Sequence, residues 1–244
     1  MTSTLTDRPV LVYPDSDGQP MADNTRQFHA IVTIQGNLDS LFRDRPDVFV
    51  AGDLLWYPIE GDPQHCRAPD VLVVFGRPKG DRGSYKQWCE DHIAPQVVFE
   101  VLSPGNTLTD IAEKFEFYDQ HGVEEYYLYD PEHGDLSGWQ REGGRLKVIA
   151  TIDGWTSPRL GVHFQREGGQ VRMYLPDGQP FRSFVELQAQ MEHERQRAEQ
   201  EQQRAEHEHQ RAEQEQQRAE HERQRAERLA ARLRALGIDP DAEL

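Results

Sequence analysis

The 244-residue sequence contains only two cysteines, Cys66 and Cys89, which stand in no metal-ligand spacing. Two cysteines are too few for a disulfide framework, so the sequence favours a reducing compartment and we expect a cytoplasmic protein. No apolar run is long enough to cross a bilayer, and the N-terminus lacks the charged-then-apolar pattern of a signal segment. We therefore expect neither a disulfide-rich secreted domain nor a membrane protein.

Positive charge is also scarce. The chain has 27 Lys and Arg residues against 43 Asp and Glu residues, which gives a formal net charge of −16. Of this charge, −11 lies in residues 1–182 and −5 in residues 183–244. An acidic balance disfavours a protein that coats nucleic acid through a general electrostatic surface. It leaves open an enzyme that contacts DNA through one small local patch.

Apolar side chains are missing from one long segment, because residues 192–228 contain no Leu, Ile, Val or aromatic residue. Arg-Ala-Glu recurs there every seven residues. The repeat predicts a charged helix over residues 183–236 and a short C-terminal end over residues 237–244. Glu occupies five consecutive d positions, so the middle of the helix has no apolar seam. A solvated single helix and a coiled-coil homodimer both stay open, the dimer being held by Leu229, Leu233 and Leu236.

Residues 24–182 have the patterns of one α/β domain, preceded by a loop-rich N-terminal extension over residues 1–23. Apolar runs rich in β-branched and aromatic residues predict four strands, and two hairpins with Gly-Gly turns follow them. The strands are predicted at 48–56, 71–75, 96–102 and 125–129, and the hairpins at 136–150 and 162–175.

Two amphipathic helices are predicted between these strands. The first begins at Asp23 or Asn24, both of which are good N-cap residues. The second begins at a capping box formed by Thr107 and Asp110 and is stopped by Gly122. This order of elements predicts a mixed β-sheet flanked by helices.

A charged residue interrupts one of the apolar strands. Glu100 lies inside Val-Val-Phe-Glu-Val-Leu, where a carboxylate is costly to bury without a cation or a metal. Asp70 precedes the neighbouring apolar strand, and Lys114 lies at the edge of the inward stripe of the second helix. Two carboxylates from adjacent strands would offer the oxygen ligands that Mg²⁺ prefers, with a lysine near an attacking water. Taken singly, the three residues also fit a turn, a structural ion pair and a solvated lysine.

These residues and their surroundings resemble a known family. The resembling segments are Pro69 to Val71, Gln96 to Pro104, Asp110 with Lys114, and Gly122 to Pro131. The family is the restriction-endonuclease family abundant in cyanobacteria, which belongs to the PD-(D/E)xK nuclease superfamily. The resemblance covers roughly residues 24–187. It implies a restriction-endonuclease-like fold and Mg²⁺-dependent hydrolysis of DNA phosphodiester bonds, with Mn²⁺ as a substitute cation.

The resemblance also implies roles for single residues. Asp70 and Glu100 would be metal ligands, and the backbone carbonyl of Val101 would be a further ligand. The superfamily places a lysine two residues after the second acid, where this chain has Leu102. In the family this lysine has migrated to the following helix, which here matches Lys114. Lys114 would then activate water or stabilise developing charge.

A second departure concerns the first helix, where such nucleases often place an acid. This chain has Gln27 and His29 there, which makes them candidate contributors but disfavours a two-metal mechanism. A glycine-containing loop beside the Asp70 strand carries a local charge of +3 between residues 67 and 86. It is a candidate for contacting DNA phosphates, although a solvated surface loop is equally compatible. Its cations are Arg67, Arg77, Lys79, Arg82 and Lys86.

A function of a different class also fits the sequence. The acidic domain and the heptad helix are compatible with a non-catalytic scaffolding or binding protein that oligomerises through the C-terminal helix. That hypothesis predicts no metal binding at Asp70 and Glu100. A nuclease fold that acts on RNA or on a small nucleotide is a third interpretation, which the sequence does not separate from DNA cleavage.

Overall fold

A computed structural model describes residues 11–235 of the chain. The predicted C-terminal end at 237–244, the heptad residue Leu236 and the first ten residues of the N-terminal extension lie outside the described residues. The chain divides into two units, the first ending at Phe184 and the second beginning at Val185. Three α-helices are present in the described part: α1 (Thr25–Leu41), α2 (Leu108–Gln120) and α3 (Phe184–Ala235).

The first unit contains a mixed six-stranded sheet in the order β1-β3-β5-β6-β7-β8. Within this sheet β5 and β6 are parallel and the other neighbouring pairs are antiparallel. Two small two-stranded sheets accompany it, β2 with β4 and β9 with β10. The α/β class with a mixed sheet and flanking helices is confirmed. The strands are β1 (Val48–Gly52), β2 (Trp56–Tyr57), β3 (Val71–Phe75), β4 (Tyr85–Lys86), β5 (Val97–Val101), β6 (Glu125–Asp130), β7 (Asp135–Glu142), β8 (Arg145–Val148), β9 (His163–Glu167) and β10 (Gln170–Tyr174).

Each face of the sheet has its own apolar layer, and β5 contributes to both. Val97 and Phe99 pack in the cluster that contains Ile31 of α1 and residues of β9 and β10. Val98 packs in the other cluster, which contains Tyr118 of α2 and residues of β2 and β4. A strand covered on both faces is expected to be almost continuously apolar, as β5 is. The single acid of β5, Glu100, is therefore buried whichever face of the sheet it points to.

Local capping fixes where α2 begins. The Thr107 N–H donates to the Asp110 carboxylate at 2.9 Å, and the Asp110 N–H donates to the Thr107 hydroxyl at 3.2 Å. The predicted capping box is thus confirmed. The helix ends at Gln120, followed by Gly122 with a left-handed φ of +87° that a residue with a Cβ adopts poorly. These two ends define the extent of α2.

The prediction of one strand over residues 48–56 was wrong. Strand β1 ends at Gly52, and Trp56 already belongs to β2 in another sheet. The chain turns at Asp53, whose φ is +49° and whose N–H points to the carbonyl oxygens of Pro69 and Asp70 at 3.2 and 3.3 Å. An apolar run in the sequence does not reveal such a turn, because the residues on both sides of the turn are buried.

The second unit is described by α3, a helix of 52 residues whose central heptads expose their side chains. Ion pairs three and four residues apart follow the helix surface, such as Arg195 with Glu192 at 3.1 Å and Arg223 with Glu227 at 3.2 Å. Pairs of this kind contribute only a few tenths of a kcal/mol each. Within residues 11–235, no helix combines the length and apolar character that a bilayer crossing requires.

Candidate active site

Two acids meet at the junction of β3 and β5. The strands are antiparallel with Val71 opposite Phe99, so continuing the register by one residue places Asp70 opposite Glu100. Glu100 is 2% exposed and Asp70 is 8% exposed. The two carboxyl groups are close enough that the Glu100 carboxylate disfavours ionisation of Asp70. The convergence predicted from adjacent strands is therefore present in the fold.

Helix α2 supplies both partners of the Glu100 side chain. Lys114 Nζ donates to Glu100 Oε2 at 2.6 Å, and the Tyr118 hydroxyl donates to Glu100 Oε1. Lys114 and Tyr118 are four residues apart and so lie on the same face of the helix. Lys114 remains 29% exposed in its side chain, whereas Tyr118 is fully buried. Glu100 is thus the centre of a buried polar cluster with one cationic and one neutral donor.

Within the described residues, Asp70 has one hydrogen-bond donor, and this donor is neutral. Its Oδ2 accepts a hydrogen bond from the Val101 N–H at 2.6 Å. Burial, reinforced by the neighbouring Glu100 carboxylate, raises the pKa of Asp70 to about 8. Burial disfavours the charge of Lys114, but Glu100 and Asp70 outweigh it and raise the pKa of Lys114 above its ordinary value. One ammonium group therefore faces two carboxyl groups, so ionisation of both acids would leave the site short of positive charge.

The first helix reaches this site through Gln27. Its side chain is buried, and Nε2 donates to the carbonyl oxygen of Val101 at 2.9 Å. Its Oε1 accepts from the Asp23 N–H at 2.8 Å. His29, the other first-helix candidate, is exposed and does not line the cavity described below. Of the two candidates, the fold brings only Gln27 to the predicted carbonyl ligand.

A cavity of about 600 Å³ opens over Asp70 and Lys114. The walls of the cavity are acidic, because four aspartates line it in addition to Asp70. Arg67, the cation that lines it besides Lys114, is paired with Glu113 at 3.2 Å. Sequence reasoning assigned none of these acids to the site, and three of them come from irregular segments. The additional aspartates are Asp17, Asp23, Asp53 and Asp110.

The basic loop is held by ion pairs instead of being free. Arg77 and Arg82 both bind Glu90, at 2.8 and 2.7 Å, and their side chains are largely buried. Lys79 binds Asp39 at 3.0 Å, and Lys86 lies 5.6 Å from the centre of the Tyr13 ring. Of the five cations, only Arg67 lines the cavity of the described chain. Residues later in the chain neutralise the arginines of this loop, and its contact with DNA phosphates stays a prediction.

Comparison with known proteins places the chain in a family. A family model described as "Uma2: Putative restriction endonuclease" matches residues 10–178. The chain belongs to the Uma2 family. The match spans α1, both acids and Lys114, so the resemblance seen in the sequence is confirmed.

One solved structure similar to this Uma2 chain is "a putative nuclease belonging to DUF820" from Anabaena variabilis ATCC 29413. It is 18% identical, with a TM-score of 0.43, and the match covers 59% of this chain and 77% of that one. No curated protein matches the sequence.

The donor set of the Uma2 site is compatible with a divalent cation. Across the residues that the structure describes, no three His, Cys, Asp or Glu side chains are grouped to hold a metal. A cation would therefore bind the carboxylates of Asp70 and Glu100, the carbonyl of Val101 and water. Asp70 Oδ2, Glu100 Oε2 and the Val101 carbonyl oxygen each accept a hydrogen bond, and oxygens of this type have two lone pairs. Oxygen ligands completed by water are the usual environment of Mg²⁺.

Proposed function

We propose that this Uma2 protein is a Mg²⁺-dependent endonuclease that hydrolyses phosphodiester bonds of DNA, with Mn²⁺ as a substitute cation. The observation that supports the proposal is the meeting of Asp70, Glu100 and Lys114 beneath one open cavity. DNA as the substrate follows the family description. RNA stays open as a substrate, because the cavity residues do not distinguish the two backbones.

The charges of the site explain why a cation fits there. Asp70 and Glu100 are buried side by side, and the Lys114 ammonium group interacts with both. Buried acids that share one cation favour the binding of a second positive charge. When bound, Mg²⁺ would polarise the phosphate and lower the pKa of a bound water. The residues present thus fit the cation that the family implies.

Each side chain then has a distinct task. Asp70 and Glu100 would hold the cation from two adjacent strands, which fixes their separation through the sheet. Lys114 is partly exposed toward the cavity, so its ammonium group would hold the attacking water or offset charge on the phosphate. The acidic cavity walls disfavour a bare phosphate, so substrate binding would itself depend on the cation.

The test is cleavage of supercoiled plasmid DNA in Mg²⁺, with an RNA of similar length as a second substrate. Lys114→Met keeps the length of the side chain but removes its charge, and we expect a loss of roughly 10²–10³-fold in rate. The matched control is Lys147→Met, because Lys147 pairs with Glu142 at the exposed surface. This variant should cleave DNA at the wild-type rate.

Wild-type cleavage that persists unchanged in Lys114→Met would contradict the proposal. A wild type that binds no Mn²⁺ in calorimetry and cleaves neither nucleic acid would instead favour the scaffolding function.

We also propose that α3 joins two copies of the chain. Phe184, Met191 and Leu229 occupy heptad positions near the two ends of the helix and are exposed. Apolar a and d residues are those that a coiled coil buries. Truncation at Ser183 should convert a dimer to a monomer in light scattering. A full-length chain that is already monomeric would support a solvated single helix.

A further inference from the structure

Both oxygens of the Glu100 carboxylate are held by one helix. Lys114 Nζ bonds Oε2 at 2.6 Å and the Tyr118 hydroxyl bonds Oε1. Two bonds to different oxygens fix the plane of a carboxylate as well as its position. The remaining lone pairs of Glu100 therefore have defined directions before any cation arrives.

The two donors differ in mobility. Lys114 has a flexible stem and a partly exposed side chain that lines the cavity. Tyr118 is fully buried, with its ring parallel to Trp56 at a centroid distance of 6.4 Å and tilted against Tyr126 at 5.2 Å. A ring packed among other rings has no alternative rotamer of similar energy. Its hydroxyl can reach Glu100 and is held there.

This difference matters if Lys114 acts on the substrate. An ammonium group that turns toward a phosphate or a water loosens its bond to Glu100. With Lys114 as its only partner, Glu100 would lose its orientation at the moment of reaction. The Tyr118 hydroxyl keeps one oxygen in place throughout.

We propose that Tyr118 is a positioning residue that orients Glu100 for cation binding independently of Lys114. The inference rests on the proposed function, since it assigns Tyr118 a role toward the same cation. Tyr118 acts through Glu100 and contacts neither cation nor substrate. Partners that orient a metal ligand typically change metal affinity by 10–100-fold when they are removed.

The fold supplies a matched control in the same aromatic cluster. Tyr126 is buried beside Tyr118, and within the described residues its hydroxyl is the one buried side-chain polar atom that has no hydrogen-bond partner. Tyr126→Phe and Tyr118→Phe therefore remove the same atom from neighbouring rings, but only the second removes a bond to Glu100. Any effect of added hydrophobicity or of loosened ring packing is common to both variants.

The experiment is a calorimetric titration of full-length protein with Mn²⁺, supported by cleavage as a function of Mn²⁺ concentration. Tyr118→Phe should bind Mn²⁺ roughly 10–100-fold more weakly, while Tyr126→Phe stays within about twofold of wild type. In cleavage, Tyr118→Phe should need more Mn²⁺ but approach the wild-type rate at saturation. A residue that served the fold alone would not produce this split.

Lys114→Met is a second variant that keeps the proposal testable should Tyr118→Phe fold poorly. If Tyr118 orients Glu100 independently, Lys114→Met retains Mn²⁺ binding while losing cleavage. Binding lost as severely in Lys114→Met would overturn the proposal, because Tyr118 would then not suffice as an anchor.

Two other results would overturn it. Equal Mn²⁺ affinity in Tyr118→Phe and wild type would show that the hydroxyl does not orient the ligand. An equal loss in both tyrosine variants would assign the effect to ring packing. A wild type that binds no Mn²⁺ would refute the proposed function and this inference with it. That outcome differs from the two above, in which the wild type binds Mn²⁺.

Discussion

Two buried glutamates on neighbouring parallel strands have opposite surroundings. Glu100 of β5 lies beside Asp70 and has Lys114 as its charged partner, and both of these neighbours line an open cavity. Glu125 of β6 is equally buried, but it accepts from the Ser157 and Tyr127 hydroxyls and from the Arg159 N–H at 2.7 Å. Burial of an acid is thus common to both, and only the partners differ.

The difference separates a site from a structural anchor. Neutral donors surround Glu125 and tie the segment containing Ser157 to the sheet, so its hydrogen-bonding capacity is satisfied within the fold. Glu100 shares one ammonium group with Asp70 and is left short of positive charge. A buried acid therefore indicates a site when a second acid and a cavity accompany it, and a tie within the fold when neutral donors do.

The largest expected effect concerns cleavage. Glu100→Gln removes one ligand charge and should lower the rate of plasmid cleavage by roughly 10²–10³-fold. Glu125→Gln makes the same chemical change on the next strand and should leave cleavage near the wild-type rate. The comparison fails if both variants lose activity equally while circular dichroism shows both to be folded.

A second prediction concerns stability and compares Glu125 with Asp70 of the candidate site. Glu125→Val leaves two buried hydroxyls and a backbone N–H without their acceptor, which should lower the free energy of unfolding by about 3 kcal/mol. Asp70→Asn, by contrast, relieves repulsion with Glu100 and should leave the metal-free protein at least as stable as wild type. Urea denaturation measures both. A larger loss in Asp70→Asn than in Glu125→Val would contradict the distinction.

The smallest effect concerns pH. Burial outweighs the hydrogen bonds to Glu125 and raises its pKa above the ordinary value of 4.5. Above about pH 4.5 the unfolded chain therefore releases this proton before the folded chain does, so stability falls with rising pH until the folded group ionises. Glu125→Gln should remove this contribution to the pH dependence of the free energy of unfolding, which urea titrations at several pH values measure. An unchanged slope would show that Glu125 does not titrate as described.

Much of the site follows from the sequence because regular periodicities determine it. Strand alternation and pairing bring Asp70 opposite Glu100, and the helical period turns Lys114 toward them. Tyr118 was equally accessible to sequence reasoning, since it lies four residues after Lys114 on the same stripe. Its role depends on a hydrogen bond, however, and an aromatic residue on an inward stripe is ordinarily read as core.

The parts that sequence reasoning missed depend on irregular backbone and on distant partners. Asp53 reaches the cavity through a left-handed turn inside an apolar run, which periodicity does not reveal. Arg77 and Arg82 looked like free cations because their acceptor, Glu90, becomes a neighbour only when the loop folds back. Charge counts along the chain cannot distinguish a free cation from a paired one.

The central claim is that Asp70 and Glu100 form a cation site and Glu125 does not. The most direct test is a crystal structure of the full-length protein soaked in Mn²⁺, with the ion located by its anomalous signal. We expect an ion bound by the carboxylates of Asp70 and Glu100 and the carbonyl of Val101, with Lys114 beside it. An ion bound elsewhere, or none at Asp70 and Glu100 when Mn²⁺ is saturating, would contradict it.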